Sequence, residues 1–412
     1  MIGRAVGLAL GTAADRLVPD PQHHHPVAWF GSWAAWLERH TWRDDRAAGA
    51  LHVALCLAPL AALGLTAEAV GRRHPLARVA TTALATWAVT GGASLAREGR
   101  VMADHLSAGD LASARARLGH LCGRLSDELD EPELARATLE SVAENTADAV
   151  VAPLVWGALA GVPGLLLHRG INTLDAMVGH HNERYEHFGT AAARLDDAAC
   201  WPAARITGAL ACLLAGERRS RAWQVMRRDA HDHPSPNGGW CESAFAGALG
   251  VQLGGRNVYP GGRVEHRGLL GDGPRPTAAD LRAGVRLECR IQWAATALAA
   301  AALLAVPRKP AARRPRPFLG GPVAASTGQF PGLGRVSGIP AAGSAPWGRA
   351  GGAHESTPAP ALLVLPRKSA ARRPRAHRRG RMTPSGGRFP GMARACCTKA
   401  WPRPTWMTRE AR

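Results

Sequence analysis

The chain has 412 residues and a formal net charge of +19, but this charge is confined to residues 307–412, which carry 21 Lys and Arg residues against two Glu. Residues 1–306 are neutral, with 30 Arg balanced by 30 Asp and Glu residues, and contain no lysine. This distribution argues against a body that binds nucleic acid specifically, and it excludes a Walker-type or Schiff-base lysine from residues 1–306.

The apolar segments of residues 1–306 predict a mainly α-helical protein that crosses a membrane several times. A membrane-spanning helix needs about 20 apolar residues. Two segments reach that length, 48–66 and 77–95, and two weaker candidates are 198–215 and 291–306. The short apolar start, 5–14, is predicted to be an uncleaved first helix rather than a signal peptide. The alternative is a soluble protein with buried helices.

The segment 149–167 has no charged residue, but proline and glycine interrupt it and would break or kink a helix. We expect a re-entrant segment or a bent pair of half-helices, since irregular backbone at membrane depth must be covered by protein or line a polar cavity. The extramembrane parts are predicted to be an amphipathic helical pair at 104–147, with a helix start at Asp130, and a loop-rich stretch at 231–277. No strand alternation stands out.

Residues 307–412 differ from the rest of the chain. They are rich in proline, show no apolar period and repeat three short motifs at an offset of 59 residues. This composition predicts a disordered tail, for which weak attraction to anionic lipid or RNA is the functional alternative. We therefore divide the chain into a helical body, 1–306, and a tail, 307–412.

Three acids mark the first candidate site. Glu140, Glu144 and Asp148 are spaced i, i+4, i+8 and would form one carboxylate stripe on a helix. Divalent metals such as Mg²⁺ prefer oxygen ligands of this kind. No basic residue is spaced to pair with the stripe, so contact with metal or substrate is one interpretation and a solvated acidic face is the other.

Further acids adjoin the apolar segments. Asp175 follows 149–167 and is costly near a membrane unless it is paired; Arg184 and His181 are its candidate partners. Asp196 and Asp197 precede 198–215, and paired carboxylates suit metal–phosphate chemistry, although acids are also common at helix starts.

The fourth group is the loop at 229–242, in which Ser235 and Asn237 stand among prolines and glycines. Proline stiffens the loop, and Gly238-Gly239 allows the backbone to approach a ligand closely. We predict a helix from Ser243 to Leu249 whose N-terminus would suit an anion. The histidines of this loop have no partners at zinc-site spacing, so a zinc site is not predicted.

Taken together, these motifs resemble the CobD/CbiB family of cobalamin biosynthesis. The resemblance covers about residues 5–300 and rests on ESVAENTAD (140–148), NTLDAMVGH (172–180), RYEHFG (184–189), AARLDD (192–197) and HPSPNGGW (233–240), supported by the entry segment 20–31 and by GGRNVY (254–259). Two positions depart from the usual family pattern, Pro19 and Leu125, and the departure weakens any role for Leu125.

The resemblance implies a multi-pass enzyme of the cell membrane that joins the propionate carboxylate of adenosylcobyric acid to aminopropanol or its O-phosphate. ATP would be consumed and Mg²⁺ would be required. The implied partners are these small molecules, membrane lipid and, as an open matter, a second copy or another corrinoid-pathway enzyme. The alternative from another class is a membrane corrinoid-binding or transport protein without ligase chemistry, for which inverted repeats, the usual sign, are not found in 1–306.

Motifs and resemblance together give a set of candidate site residues. The catalytic candidates are Glu140, Glu144, Asp175, Asp196 and Asp197. The metal-ligating candidates are Glu144, Asp148 and Asp197. The substrate-binding candidates are Asn145, Asn172, His181, Arg184, Tyr185, Arg194, Arg205, Ser235, Asn237 and Glu242. Because cobyric acid and ATP are cytoplasmic, we expect all these segments to meet on the cytoplasmic side, with 149–167 dipping into the membrane and returning.

Overall fold

The computed structural model describes residues 1–18, 25–180, 182–259 and 264–305. Within them the chain forms thirteen α-helices and one β-hairpin. In chain order these are α1 (Ile2–Leu17), α2 (Pro26–Thr41), α3 (Arg46–Arg73), α4 (Pro75–Val89), α5 (Gly92–Ser107), α6 (Leu111–Leu118), α7 (Glu131–Asn145), α8 (Ala152–Ala160), α9 (Val162–Val178), α10 (Thr190–Leu214), α11 (Arg219–Asp229), α12 (Gly238–Leu249), β1 (Leu253–Val258), β2 (Val264–Leu270) and α13 (Ala278–Ala305). The predicted mainly α class is confirmed.

The predicted membrane helices are confirmed in part. Among the described residues, α3 and α13 are long and apolar enough to cross a membrane, and counting the bent pair Thr190–Leu213 and Gly216–Asp232 as one span gives three. The segment 77–95 is not one helix, because α4 ends at Val89 and α5 begins at Gly92. The prediction of a single span there was wrong. The predicted tail lies outside the described residues.

The first helix packs by close backbone approach. Gly7 and Gly11 of α1 face Thr82 and Thr86 of α4, and a Cβ at either glycine would overlap these threonine side chains. Small residues four apart on a helix permit this contact, which is common between helices in membranes. The apolar start of the chain is therefore an integral helix of the body.

The interruption predicted in 149–167 lies at Gly161. It separates α8 from α9 and has φ +69°, a backbone conformation that favours glycine. Just before α8, residues Thr146–Val151 form a π-helical turn. The chain thus runs as α7, a π turn, α8, a break and α9, which brings Asp148 and Asp175 into one neighbourhood.

Two local predictions in the polar regions need correction. The stretch 104–147 is not one helical pair: α5 extends to Ser107, α6 is short, and α7 begins after Asp130, whose side chain accepts a hydrogen bond from the Glu133 N–H at 3.0 Å. The region 231–277 contains α12 and an antiparallel pairing of β1 with β2. Four consecutive residues of the seven in β2, Glu265 to Gly268, are polar, charged or glycine, so the apolar alternation that predicts strands is missing.

Candidate active site

All four sequence motifs meet at one small cavity. Its lining comes from α7, the π turn, α9, α10, the loop before α12 and α12 itself; the lining residues are Glu144, Ala147, Asp148, Asp175, Asp196, Asp197, Ser235, Asn237, Gly238 and Cys241. Five of the ten are carboxylic acids. Segments that are distant in sequence therefore converge on a single acidic site.

The first acidic wall is formed by the end of α7 and the π turn. Glu144 lies on the last turn of α7, and Asp148 is buried in the π turn. Gly238 faces this wall, since a Cβ placed there would lie 3.6 Å from Oε1 of Glu144. The wide π turn, with i→i+5 hydrogen bonds, is a feature often found at functional sites, and here it carries one of the five acids.

The second acidic wall is formed by α9 and α10. Asp175 lies near the end of α9, where the Gly179 N–H donates to its backbone carbonyl at 2.8 Å, and a side chain at Gly179 would collide with the Asp175 carboxylate. On α10, Asp196 accepts a hydrogen bond from Nδ2 of Asn172 at 3.1 Å. Asn172 thus orients one of the five carboxylates.

The loop before α12 closes the cavity. The hydroxyl of Ser235 accepts hydrogen bonds from the N–H groups of Asn237 and Gly238 at 3.2 and 3.1 Å. Nδ2 of Asn237 donates to the backbone carbonyl of Asp197 at 2.8 Å, which fixes the loop against α10. The helix begins at Gly238 rather than at Ser243 as predicted. The N–H groups of the cap residue Asn237 and of the first helical residue, Gly238, already donate to Ser235, so the anion site predicted at this terminus has fewer donors than expected.

Arg205 supplies positive charge beside this loop. Its Nη1 donates to Oδ1 of Asn237 at 2.8 Å. Its guanidinium lies between two indoles, 4.4 Å from the ring centroid of Trp201 and 4.9 Å from that of Trp240. Stacking of this kind orients an arginine without neutralising it, which leaves its charge available to an anionic ligand.

Cys241 lines the cavity but is unsuited to be a nucleophile. Burial, reinforced by the carboxylates of Asp148 and Glu144, holds the pKa of its thiol well above the usual range. A thiol that stays protonated is a poor nucleophile. We take Cys241 as a small apolar wall of the site.

Glu140 does not line the cavity, and the statement that no basic residue pairs with the acidic stripe was wrong. Its carboxylate lies 2.6 Å from Nη2 of Arg124 and 3.0 Å from Nη1 of Arg136, and it accepts the N–H of Gly254 at 2.7 Å. Burial favours the neutral acid, but the guanidiniums of Arg124 and Arg136 outweigh it and hold the pKa of Glu140 well below its usual range. This ion-pair network joins α7 to β1 and to the turn before α7.

Glu242 belongs to a second buried network. It is fully buried on α12, with Oε1 3.3 Å from Nε2 of His233 and 3.6 Å from Nη1 of Arg267. Arg267 reaches Tyr259 as well, donating to its hydroxyl at 3.1 Å. His233 in turn accepts the N–H of Ser235 at its Nδ1, 3.0 Å away. Glu242 therefore connects the hairpin to the loop that closes the site.

Arg184 and Tyr185 meet an acid that the sequence motifs did not identify. Both donate to Oε1 of Glu38 on α2, each at 2.9 Å, and the Arg184 guanidinium also lies 4.7 Å from the ring centroid of Trp42. Arg184 is thus engaged with Glu38, although it was a candidate partner for Asp175. Burial and then the charge of Glu38 raise the pKa of the Tyr185 hydroxyl.

Of the remaining candidates, Asn145 and Arg194 are not among the residues that line the cavity. Nδ2 of Asn145 donates to the Ser141 carbonyl at 2.9 Å within α7, and Arg194 is exposed on α10. His181 lies outside the described residues.

The acids that line the cavity are the candidate ligands for a metal ion. Within the described ranges of the chain, no three His, Cys, Asp or Glu side chains stand close enough together to hold a metal by themselves. Mg²⁺ needs no such cage, because it retains several waters and binds through one or two carboxylates together with substrate phosphates. An acidic cavity of oxygen donors with an arginine beside it fits that mode.

The fold and the site define a helical protein that has helices long enough to cross a membrane and an acidic cavity lined by residues of its four sequence motifs. The model of the CobD/Cbib protein family matches residues 8–288. The chain is 50% identical over 303 residues to the cobalamin biosynthesis protein CobD of Mycobacterium tuberculosis, covering 72% of this chain and 95% of the relative. For the proteins of the same name from Chromobacterium violaceum and Pelobacter propionicus the identities are 44% over 312 residues and 39% over 311, covering 73% and 72% of this chain and 97% and 95% of each relative.

These similarities confirm the resemblance seen in the motifs: the chain belongs to the CobD/CbiB family. No solved structure matches it significantly.

Proposed function

We propose that this protein is an ATP-dependent ligase of the cell membrane that forms the amide bond between the propionate carboxylate of adenosylcobyric acid and aminopropanol or its O-phosphate. The observation that carries the proposal is the convergence of five carboxylates from separate motifs on one cavity. Membership of the family supports a role in cobalamin biosynthesis, which is the name its relatives bear.

The proposed chemistry needs an activated carboxylate. A carboxylate and an amine do not condense unaided in water, so the carboxyl oxygen must leave as part of a better group, and ATP would supply phosphate for this purpose. Charge that develops during such a transfer must be stabilised by preorganised groups. The site has acids for a metal and an arginine for phosphate, and the described body has no lysine that could serve instead.

Glu144, Asp148 and Asp197 are the residues that would hold Mg²⁺. When bound, the ion would neutralise phosphate charge and orient the phosphate for transfer. Arg205, which stacks on Trp201, would contact a phosphate. Asp175 and Asp196 complete the acidic wall and are the candidates for contact with the ammonium or hydroxyl of aminopropanol, with Asn172 fixing the direction of Asp196.

The size of the cavity limits what enters it. The cavity encloses only about 20 Å³, far less than the roughly 300–1,000 Å³ of pockets that hold a drug-sized ligand. It therefore does not enclose a corrin macrocycle. The macrocycle would stay outside the mouth while its propionate arm reaches the acids.

The test is complementation of a strain blocked at the aminopropanol step, with the corrinoid product identified by mass spectrometry. The chain should restore cobinamide or its phosphate. Glu144→Gln keeps the shape of the side chain and removes its charge, so we expect turnover by the purified variant to fall at least tenfold and its Mg²⁺ requirement to rise. Glu183→Gln, an exposed acid in the turn after α9, is the matched control and should behave as wild type.

Two results would count against the proposal. Wild-type turnover at the normal Mg²⁺ requirement in Glu144→Gln would remove the metal role of this acid. Binding of cobyric acid without amide formation or ATP consumption by the wild-type protein would favour the corrinoid-binding or transport alternative.

A further inference from the structure

The helix α2 presents a row of aromatic side chains to its surroundings. Trp29, Trp33, Trp36 and His40 are spaced i, i+4, i+7 and i+11, so at 3.6 residues per turn they fall within about 60° of the helix circumference. We call them the Trp face. The indoles of Trp29, Trp33 and Trp36 are 60%, 40% and 46% exposed, and Trp33 stacks on Trp36 with centroids 5.2 Å apart.

The other sides of α2 have different chemistry. Gly31, Ala34, Leu37 and Glu38 are buried and form the contact with the body, where Ala34 and Leu37 join a core cluster with Val53 and Cys56 of α3. Ser32 and Arg39 are exposed on a third, polar side. The two solvent-facing sides of one helix are therefore an aromatic one and a polar one.

The segment that follows α2 in the sequence indicates the depth of α2 relative to a membrane. The four-residue connection from α2 to α3 contains the exposed charged residues Arg43, Asp44 and Asp45, and α3 then begins at Arg46. Charges of this kind lie in water or among headgroups rather than in hydrocarbon, and α3 is one of the two described helices able to cross a membrane. The connection thus marks the membrane boundary, and α2 packs beside it.

The length of α2 excludes a span. Sixteen residues make a helix of about 24 Å, shorter than the roughly 30 Å hydrocarbon core. A short helix with one aromatic side and one polar side fits the interface, where tryptophan is enriched because its ring is apolar and its N–H is polar.

We propose that α2 is an interfacial helix whose Trp face lies in the headgroup region of the lipid bilayer. This goes beyond the proposed ligase function and does not depend on it. Because Glu38 of the same helix binds Arg184 and Tyr185, α2 also holds the turn that follows Asp175 at the membrane surface, on the side where α3 begins.

The test uses nitroxide spin labels on the full chain, in a background whose native cysteines have been replaced and whose thermal unfolding midpoint in detergent matches that of the wild-type protein. Trp33→Cys reports the Trp face, and Ser32→Cys on the polar side of the same turn is the matched control. Both are reconstituted in liposomes of phosphatidylethanolamine and phosphatidylglycerol. Power saturation then compares collisions with oxygen, which concentrates in lipid, and with a water-soluble nickel chelate.

We expect the oxygen-to-nickel accessibility ratio at position 33 to exceed that at position 32 at least threefold. Equal, nickel-dominated accessibility at both positions would show that α2 projects into water and would overturn the proposal. Protection of position 33 from both reagents would show that protein, such as a second copy, covers the Trp face, and this would overturn it too. If Trp33→Cys does not fold, as judged by its thermal unfolding midpoint in detergent, Trp29→Cys and Trp36→Cys replace it.

Discussion

Replacement of Glu140 by glutamine tests whether this residue stabilises the fold around the site or takes part in catalysis. The carboxylate is 1% exposed and bridges Arg124, Arg136 and the Gly254 N–H. Glu140→Gln keeps the acceptor for Gly254 but leaves two buried guanidiniums without this charge. Breaking a buried ion pair by removing one partner costs about 3–5 kcal/mol. We expect the lower end, about 3 kcal/mol, because Arg136 keeps its contact with Glu133 at 2.5 Å.

The loss should depend on pH with a definite sign. Since Arg124 and Arg136 hold the pKa of Glu140 below its usual range against the effect of burial, ionised Glu140 stabilises the folded state above the unfolded pKa of about 4.3. That contribution disappears as the pH falls towards the folded pKa. The difference between wild type and Glu140→Gln should therefore be constant from pH 8 to about pH 5 and should shrink below that.

The assay is the free energy of unfolding from denaturant titration in detergent micelles, with turnover measured on the same preparations. Glu131→Gln, at an exposed acid in the first turn of the same helix, is the control and should change stability by less than about 1 kcal/mol. Unchanged unfolding free energy in Glu140→Gln together with lost turnover would refute the reasoning and return Glu140 to a chemical role.

Two further predictions concern the body of the protein. A truncation after Val306 should complement the blocked strain as the full chain does, because every residue that lines the cavity precedes it; loss of complementation by a truncated protein that still inserts into the membrane would show that 307–412 are needed. A cysteine at the exposed Glu183, in the cysteine-free background, should react with an impermeant thiol reagent only after the membrane is opened, since the motifs are expected on the cytoplasmic side; labelling from outside intact cells would contradict that topology.

The sequence predicted which acids line the cavity better than it predicted which residues form ion pairs with the acids of the motifs. The acids of the first three motifs were identified because clusters of ionisable residues beside apolar segments are costly unless they have a function, and Glu144, Asp148, Asp175, Asp196 and Asp197 do share one cavity. Arg136 was missed as a partner of Glu140 although it stands at i−4, a spacing visible in the sequence. Arg124 and Arg267 could not be found in this way, because their contacts join residues far apart in the chain.

The fold was predictable where a local sequence pattern determines the structure, and less so where tertiary contacts determine it. The capped start of α7 at Asp130 and the break in 149–167 follow from residue type alone. The hairpin was not predicted, since β1 carries Gly254 and Gly255, both at positive φ, and is held by Glu140 and Arg275 rather than by an apolar strand pattern. The division of 77–95 into two helices at Gly91 is stabilised by the Gly91 N–H donating to the carbonyl of Ala149 at 3.0 Å, a contact that no local pattern shows.

Because of the π turn at Thr146–Val151, the geometry of this site depends on the number of residues in this segment as well as on their identity. A helix advances about 100° per residue, so deleting one residue between Asn145 and Ala152 would rotate α8 and everything after it by about that angle relative to α7. Leu154, which is buried on α8, would turn away from the core, and Asp148 would lose its place opposite α10. Substitutions in this stretch can be conservative, whereas an insertion or deletion of a single residue has no conservative form. Functional members of the family should therefore differ by substitutions in this segment and should keep its number of residues constant.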